Sequence, residues 1–388
     1  MYLDRTYRPR RRRQGWGRFW PLYLLAVIGV ILYEQQPAWL APREVTPTPV
    51  PTRAAIAFMA DANMARAAGD YDVTMTALKR VVELEPLNAE ALVKLSAIEL
   101  MFGRDQQARD YAQRAVDAAP QNPAALTALA RALNWTGDNE AAINAAFDAL
   151  EVAPDDATAL AVLGEIYTDE GNREQAEQYR EQAIAKEPKN ITALRNRSYY
   201  LEVRGDYEAA ITVLQTAIDV DPTRFDLYIE LGRQYRVGLL DYQKANEAYT
   251  KAVAAYEAPI TLDAQGDGLY NTGDYLQAVR VLRKAIEMDP NYGPALVHLG
   301  MALYARRNYE DAAPSLEKGL RLLGDRARVE QLYTAGLAYI NKEPRDCQRA
   351  VPWLLKALAL NADASPASTG LRICDVAAPT ATPDASNP

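Results

Sequence analysis

Proline recurs every 34 residues along most of this chain, and no other feature restricts its fold so tightly. Pro86, Pro120, Pro154, Pro188 and Pro222 are each 34 residues apart, and Pro290 lies two further periods on. Proline is tolerated at a helix start but removes a hydrogen bond from a helix interior, so each one separates two helical patterns. The residues between prolines keep a fixed phase. With Pro as position 32, position 15 is Gly at Gly69, Gly103, Gly137, Gly171, Gly205 and Gly273, and position 17 is aromatic at Tyr71, Tyr207, Tyr275 and Tyr309. Position 20 is Ala at Ala108, Ala142, Ala176, Ala210, Ala278 and Ala312; position 27 is Ala at Ala115, Ala149, Ala183, Ala217 and Ala285. Glycine suits the left-handed turn that closes a first helix. The two alanines lie two turns apart on one face of a second helix, where close approach of a neighbour needs a short side chain. Positions 4, 7, 8 and 11, as in Leu160, Leu163, Gly164 and Tyr167, give the first helix its apolar stripe.

Period, Gly–Asp–Tyr turn, small residues and terminal Pro together resemble the tetratricopeptide repeat (TPR) family. The resemblance covers about residues 55–362, roughly 80% of the chain, as nine repeats: 55–88, 89–122, 123–156, 157–190, 191–224, 225–258, 259–292, 293–326 and 327–362. It implies an all-α fold, a right-handed superhelical solenoid of antiparallel helix pairs with a concave groove lined by first helices. A single pair cannot bury both its faces, whereas stacked neighbours can. Three repeats depart from the pattern. The sixth has one extra residue in RVGLLDY and no terminal Pro, the eighth has Arg307 at the Gly position, and the ninth has a two-residue insertion around NKEPRDC. Residues 363–378 are expected to add a capping helix that brings Cys374 near Cys347, the only two cysteines. A disulfide between them is favoured if the domain is exported; two unpaired thiols are the alternative.

The N-terminus reads as a membrane address. Residues 1–18 carry seven Arg and one Asp, against a net charge of −8 for the whole chain, so the remainder is strongly acidic. This Arg cluster precedes Phe19–Tyr33, which has no charge; Trp16, Phe19, Trp20 and Tyr23 flank it on one side, Tyr33 and Trp39 on the other. Fifteen residues fit a signal-peptide core and are short for a span of ~20. No good cleavage site is present beyond it, because PAWLAP puts Trp39 where a small residue is wanted. An uncleaved signal anchor over 19–40 is therefore expected, with residues 1–18 cytoplasmic and the repeat domain extracytoplasmic; a cleaved, exported soluble protein is the rival. Residues 41–54 form a Pro/Thr-rich extended spacer, and 379–388 a disordered tail of similar composition.

Composition excludes several kinds of chemistry. One histidine and two cysteines rule out His/Cys zinc sites and a disulfide-dense scaffold. An acidic body lacks the basic footprint of a nucleic-acid-binding array. His298 has no obvious catalytic partner and is expected to pack, so no enzymatic activity and no cofactor are expected. Asp263, Gln265, Asp267, Asn271 and Asp274 have the spacing of a calcium loop, with Gly268 at its turn position, but they also fall in repeat phase as an ordinary glycine-weakened helix. A calcium- or glycan-binding envelope component is the alternative function.

The remaining candidate is the groove. If positions 4, 7, 8 and 11 pack inward, positions 2, 5, 9, 12 and 13 point the other way. They place Arg131, Asn134, Trp135, Glu165, Arg195, Tyr199, Arg233, Arg236, Asp267, Tyr270, Asn271 and Tyr304 there. Aromatics beside Arg suit a peptide with acidic or aromatic groups. The Lys/Asn clamp with which TPR co-chaperones hold a C-terminal carboxylate is missing. The expectation is a membrane-anchored scaffold that binds a protein or peptide partner in its groove, in assembly of an envelope complex.

Overall fold

A computed structural model describes residues 19–35 and 54–377. The Arg-rich segment, nearly all of the Pro/Thr spacer and the C-terminal tail lie outside the described residues. The chain divides into two units, Met1–Arg53 and Ala54–Pro388. The first contains helix α1 (Trp20–Gln35), 16 residues long. At 1.5 Å per residue it extends about 24 Å, short of a ~30 Å hydrocarbon layer. The expected span over 19–40 is therefore not shown by the described residues. No helix among the described residues is long and apolar enough to cross a membrane, and residues 36–40, needed to lengthen the span, lie outside them.

The second unit is nine helical hairpins and a final helix; no strand occurs among the described residues. The first four hairpins are α2 (Ala55–Ala67) with α3 (Tyr71–Leu84), α4 (Ala89–Met101) with α5 (Asp105–Ala118), α6 (Pro123–Trp135) with α7 (Asn139–Val152), and α8 (Ala157–Asp169) with α9 (Arg173–Lys186). Then come α10 (Ile191–Val203) with α11 (Tyr207–Val220), α12 (Phe225–Arg233) with α13 (Tyr242–Ala255), and α14 (Pro259–Asn271) with α15 (Tyr275–Met288). The last are α16 (Gly293–Ala305) with α17 (Tyr309–Leu323), α18 (Val329–Asn341) with α19 (Cys347–Leu360), and the closing helix α20 (Ser365–Ile373).

The Gly–Asp pair of the first repeat does two jobs in its turn. Gly69 adopts φ 78°. Its N–H bonds the Arg66 carbonyl, and the Asp70 N–H bonds the Ala65 carbonyl, which satisfies the last groups of α2. Asp70 then accepts from the Val73 N–H at 3.0 Å and so starts α3. In the eighth repeat Arg307 holds the same left-handed conformation at φ 60° without glycine's freedom. The alanines at positions 20 and 27 are fully buried, from Ala108 and Ala115 to Ala285 and Ala312. The extra residue of the sixth repeat is absorbed as a π turn, Gln234–Gly238, directly after α12. Helix α20 buries Ala367 and Leu371, and Cys347 is bonded to Cys374 across it.

The segment with calcium-loop spacing is helix α14 as far as Asn271, then the turn that leads to Asp274, in keeping with repeat phase. Its polar side chains make other bonds. Asp263 pairs with His298, Gln265 donates to Thr250, Asp267 faces Arg236, Asn271 donates to Asp267, and Asp274 caps α15. Gly266 is there for packing, because a Cβ would sit 2.4 Å from the Leu282 Cγ.

The first turn of the solenoid closes on itself. Tyr71 of α3 and Phe102 at the end of α4 meet Phe225 and Tyr256, which bracket α12 and α13. Tyr71 lies 5.1 Å from Phe225 and 5.0 Å from Tyr256 between ring centroids, and Phe102 lies 5.2 Å from Phe225. Tyr71 and Phe225 are completely buried. Polar bonds surround the rings. Arg66 bonds Asp221 at 2.8 Å and Thr223 at 2.9 Å, the Tyr71 hydroxyl donates to the Thr223 carbonyl, and the Tyr256 hydroxyl donates to Asp72 at 2.7 Å.

Candidate functional site

The concave face is stitched by side chains that reach from one first helix to the next. Trp135 on α6 donates its indole N–H to Glu165 on α8 at 3.0 Å, and Asn134 donates to Asp169 at 2.7 Å. From α10, Arg195 bonds Glu165 at 3.3 Å and Glu230 of α12 at 2.5 Å. Tyr199 donates to Asp169 at 2.6 Å. Arg233 makes a two-pronged bond to Glu202, at 2.7 and 2.8 Å. Arg236 faces Asp267 of α14 at 3.6 Å, and His298 of α16 meets Asp263 at 2.7 Å. Each link spans about one repeat of sequence, so the first helices from α6 to α16 are each tied to the next.

Burial sets the electrostatics. Burial pushes the Glu165 carboxyl up, but Arg195 and Arg131 outweigh it and hold the group below its usual value, so it is ionised. Arg131 is drawn down to about 10 by burial and by Arg195. Its guanidinium lies over the Trp135 ring at 5.7 Å, and its Nε has no hydrogen-bond partner among the described residues. Burial also lowers Arg195, yet Glu230 and Glu165 more than compensate, and its pKa rises. Tyr199 is raised by burial and by its bond to Asp169.

Asn134, Trp135, Glu165, Arg195, Tyr199 and Arg233 come together with Asp169 around a depression of about 260 Å³. The other expected groove residues lie apart from it. Arg131 borders an adjoining space of about 170 Å³ that shares Trp135 and Arg195 with the depression. Tyr270 stacks near Tyr275, and Tyr304 near Tyr309, at 5.5 and 5.3 Å. Asn271 turns back onto its own helix. Asp169, Glu202 and Glu230 were absent from the expected set. Asp169 occupies position 13 of its repeat, the same phase as Trp135 and Asn271, so the same rule reaches it. Among the described residues no three His, Cys, Asp or Glu side chains converge on a metal position.

His298 packs on α16, and it does so as a cation. Burial lowers its pKa, but Asp263 overcomes this and pushes it up to about 9, from an ordinary 6.5. Asp267 adds to the rise, and Arg328 opposes it. A folded-state pKa above the unfolded one contributes stability that is complete below pH ~6.5 and vanishes as pH climbs through ~9. The linkage limit is about 3 kcal/mol. Urea titrations at pH 6 and pH 9.5 are expected to show that loss in the native chain. In His298→Gln the pH dependence should be flat across the window; an equally steep decline in the variant would exclude the pair as its source.

Comparison with known proteins is consistent with this geometry. Tetratricopeptide repeat family models match residues 59–123, 159–192 and 269–336. A stretch of 93 residues is 32% identical to Protein SGT1 homolog of Oryza sativa subsp. japonica, covering 24% of this chain and 25% of that protein. Another of 83 residues is 29% identical to Small glutamine-rich tetratricopeptide repeat-containing protein 2 of Mycosarcoma maydis, covering 21% and 24%. The chain thus spans about a quarter of the length of these curated relatives. Among solved structures, the APC/C hetero-tetramer Cut9–Hcn1 is similar in fold, with TM-score 0.62, 18% identity, and coverage of 81% of this chain and 62% of that one. The chain carries tetratricopeptide repeats, folded as an all-α solenoid.

Proposed function

We propose that this chain is a protein-interaction scaffold that takes a peptide or protein segment of a partner against the concave face of α6, α8, α10 and α12. The observation that carries the reading is the depression around Trp135, Glu165, Asp169, Arg195, Tyr199 and Arg233. There, aromatic and charged side chains from four successive repeats converge on one open space of about 260 Å³. Aromatic and Arg side chains in a partly desolvated concavity are the usual anchors of an interface. The mechanism is recognition, with no bond made or broken.

We also infer that the N-terminus holds this surface at a membrane, outside the cytoplasm, where it organises an envelope complex. The support is the sequence: an Arg-rich segment, an uncharged run with aromatic flanks, then a Pro/Thr spacer. The exposed apolar side chains of α1, among them Leu22, Leu25 and Val30, are consistent with lipid contact.

Affinity capture from solubilised membranes tests both parts. The full-length chain is expected to sediment with membranes after alkaline washing and to retain a defined partner that Tyr199→Ala loses. Capture unchanged in Tyr199→Ala places the partner elsewhere, and release by the wash removes the anchor.

A further inference from the structure

Deepening the groove reading, and resting on it, we propose that the depression between α6, α8 and α10 is a socket for a basic side chain of the partner, a guanidinium or an ammonium. The arginines that suggest an acidic ligand in the sequence are already occupied. Arg195 is held by Glu165 and Glu230, and Arg233 by both oxygens of Glu202. Acceptors remain over. Asp169 takes neutral donors, Asn134 and Tyr199, and it forms no ion pair with a Lys or Arg among the described residues. Glu165 is only 5% exposed, and its Oε2 has no donor; Asn134 is 8% exposed, and its Oδ1 has none.

Two carboxylates, Glu165 and Asp169, line the depression beside Arg195 and Arg233, whose charges are also met by Glu230 and Glu202. The Tyr199 hydroxyl is raised first by burial, then by its bond to Asp169 and by the charges of Asp169, Glu165 and Glu202. A partner cation bonded to Asp169 would enter the space that Trp135 also lines, anchored by a charge-assisted hydrogen bond.

The test uses the full-length chain in detergent with fluorescent peptide pools that differ only at a central Arg, Glu or Ala. The Arg pool is expected to bind at least tenfold tighter than the Glu pool. Asp169→Asn should weaken it about tenfold, and Asp169→Glu should retain most of the affinity. Asp169 is exposed, and an unchanged thermal midpoint for both variants confirms that folding is intact. Tighter binding of the Glu pool, abolished by Tyr199→Ala, would overturn the basic socket and leave the groove reading standing. Arg-pool binding indifferent to both Asp169→Asn and Tyr199→Ala would overturn both, as would binding of neither charged pool.

Discussion

Replacing Phe225 by alanine is expected to remove about 3–5 kcal/mol of stability, the range for deleting a large aromatic from a site that cannot collapse. Phe225 is fully buried, and its ring contacts belong to residues from three other helical segments: Tyr71, Phe102 and Tyr256. The effect should exceed that of one lost core residue in an ordinary repeat array. Repeats that touch only their neighbours unfold by nearest-neighbour terms. Here the first and sixth hairpins are also joined, so the first turn should behave as one cooperative block. Urea unfolding followed by circular dichroism should show a single major transition for the native chain. Phe225→Ala should lower the midpoint and split the curve, as the opened turn frays from the N-terminal hairpins. A loss below ~1 kcal/mol with an unsplit curve would mean that the closure contributes little.

The second large effect is expected at Arg195. Its guanidinium is 11% exposed and bridges Glu165, 6% exposed, to Glu230, 18% exposed. Arg195→Ala strands two carboxylates without their counter-ion, which costs about 3–5 kcal/mol for a buried pair. The triple variant Arg195→Met, Glu165→Gln, Glu230→Gln should recover much of that loss, because most of the penalty is the uncompensated charge rather than the bridge. Arg195→Lys should behave closer to alanine than to arginine, since one ammonium cannot reproduce the Nε and Nη1 geometry. Equal stabilities for Arg195→Ala and the triple variant would show that the cost comes from packing against Trp135, 5.1 Å from the guanidinium.

The hairpins were legible from the sequence because their determinants are local. A proline, a Gly–Asp turn and two buried alanines recur in phase, and each acts within its own repeat. Even the extra residue of RVGLLDY betrayed its position, although not the π turn that absorbs it. The site was only partly legible. The position rule that selects Trp135 also selects Asp169, yet it cannot tell which carboxylate neutralises which arginine. That depends on how far α8 and α10 stand from their neighbours. The arginines therefore suggested an acidic ligand, whereas Arg195 and Arg233 are already paired with Glu165, Glu230 and Glu202.

The closure of the first turn was not legible at all. Tyr71, Phe102, Phe225 and Tyr256 each look like core residues of their own hairpins. Their meeting depends on a small rotation per repeat, accumulated over several repeats and tightened by the stitching on the inner face. The N-terminal helix is a different case: the apolar run is plain in the sequence, α1 covers 16 residues of it, and residues 36–40 lie outside the described residues.

A double-mutant cycle between Tyr71 and Phe225 tests the closed turn most directly. These residues belong to the first and sixth hairpins, and their rings are nearly perpendicular, the interplanar angle being 82°. Contact predicts that Tyr71→Leu, Phe225→Leu and the double variant, compared by urea unfolding, give a coupling energy of about 0.5–1.5 kcal/mol. Additivity within ~0.3 kcal/mol, the behaviour of independent sites, would mean that the two ends of the turn never meet and that the solenoid is open.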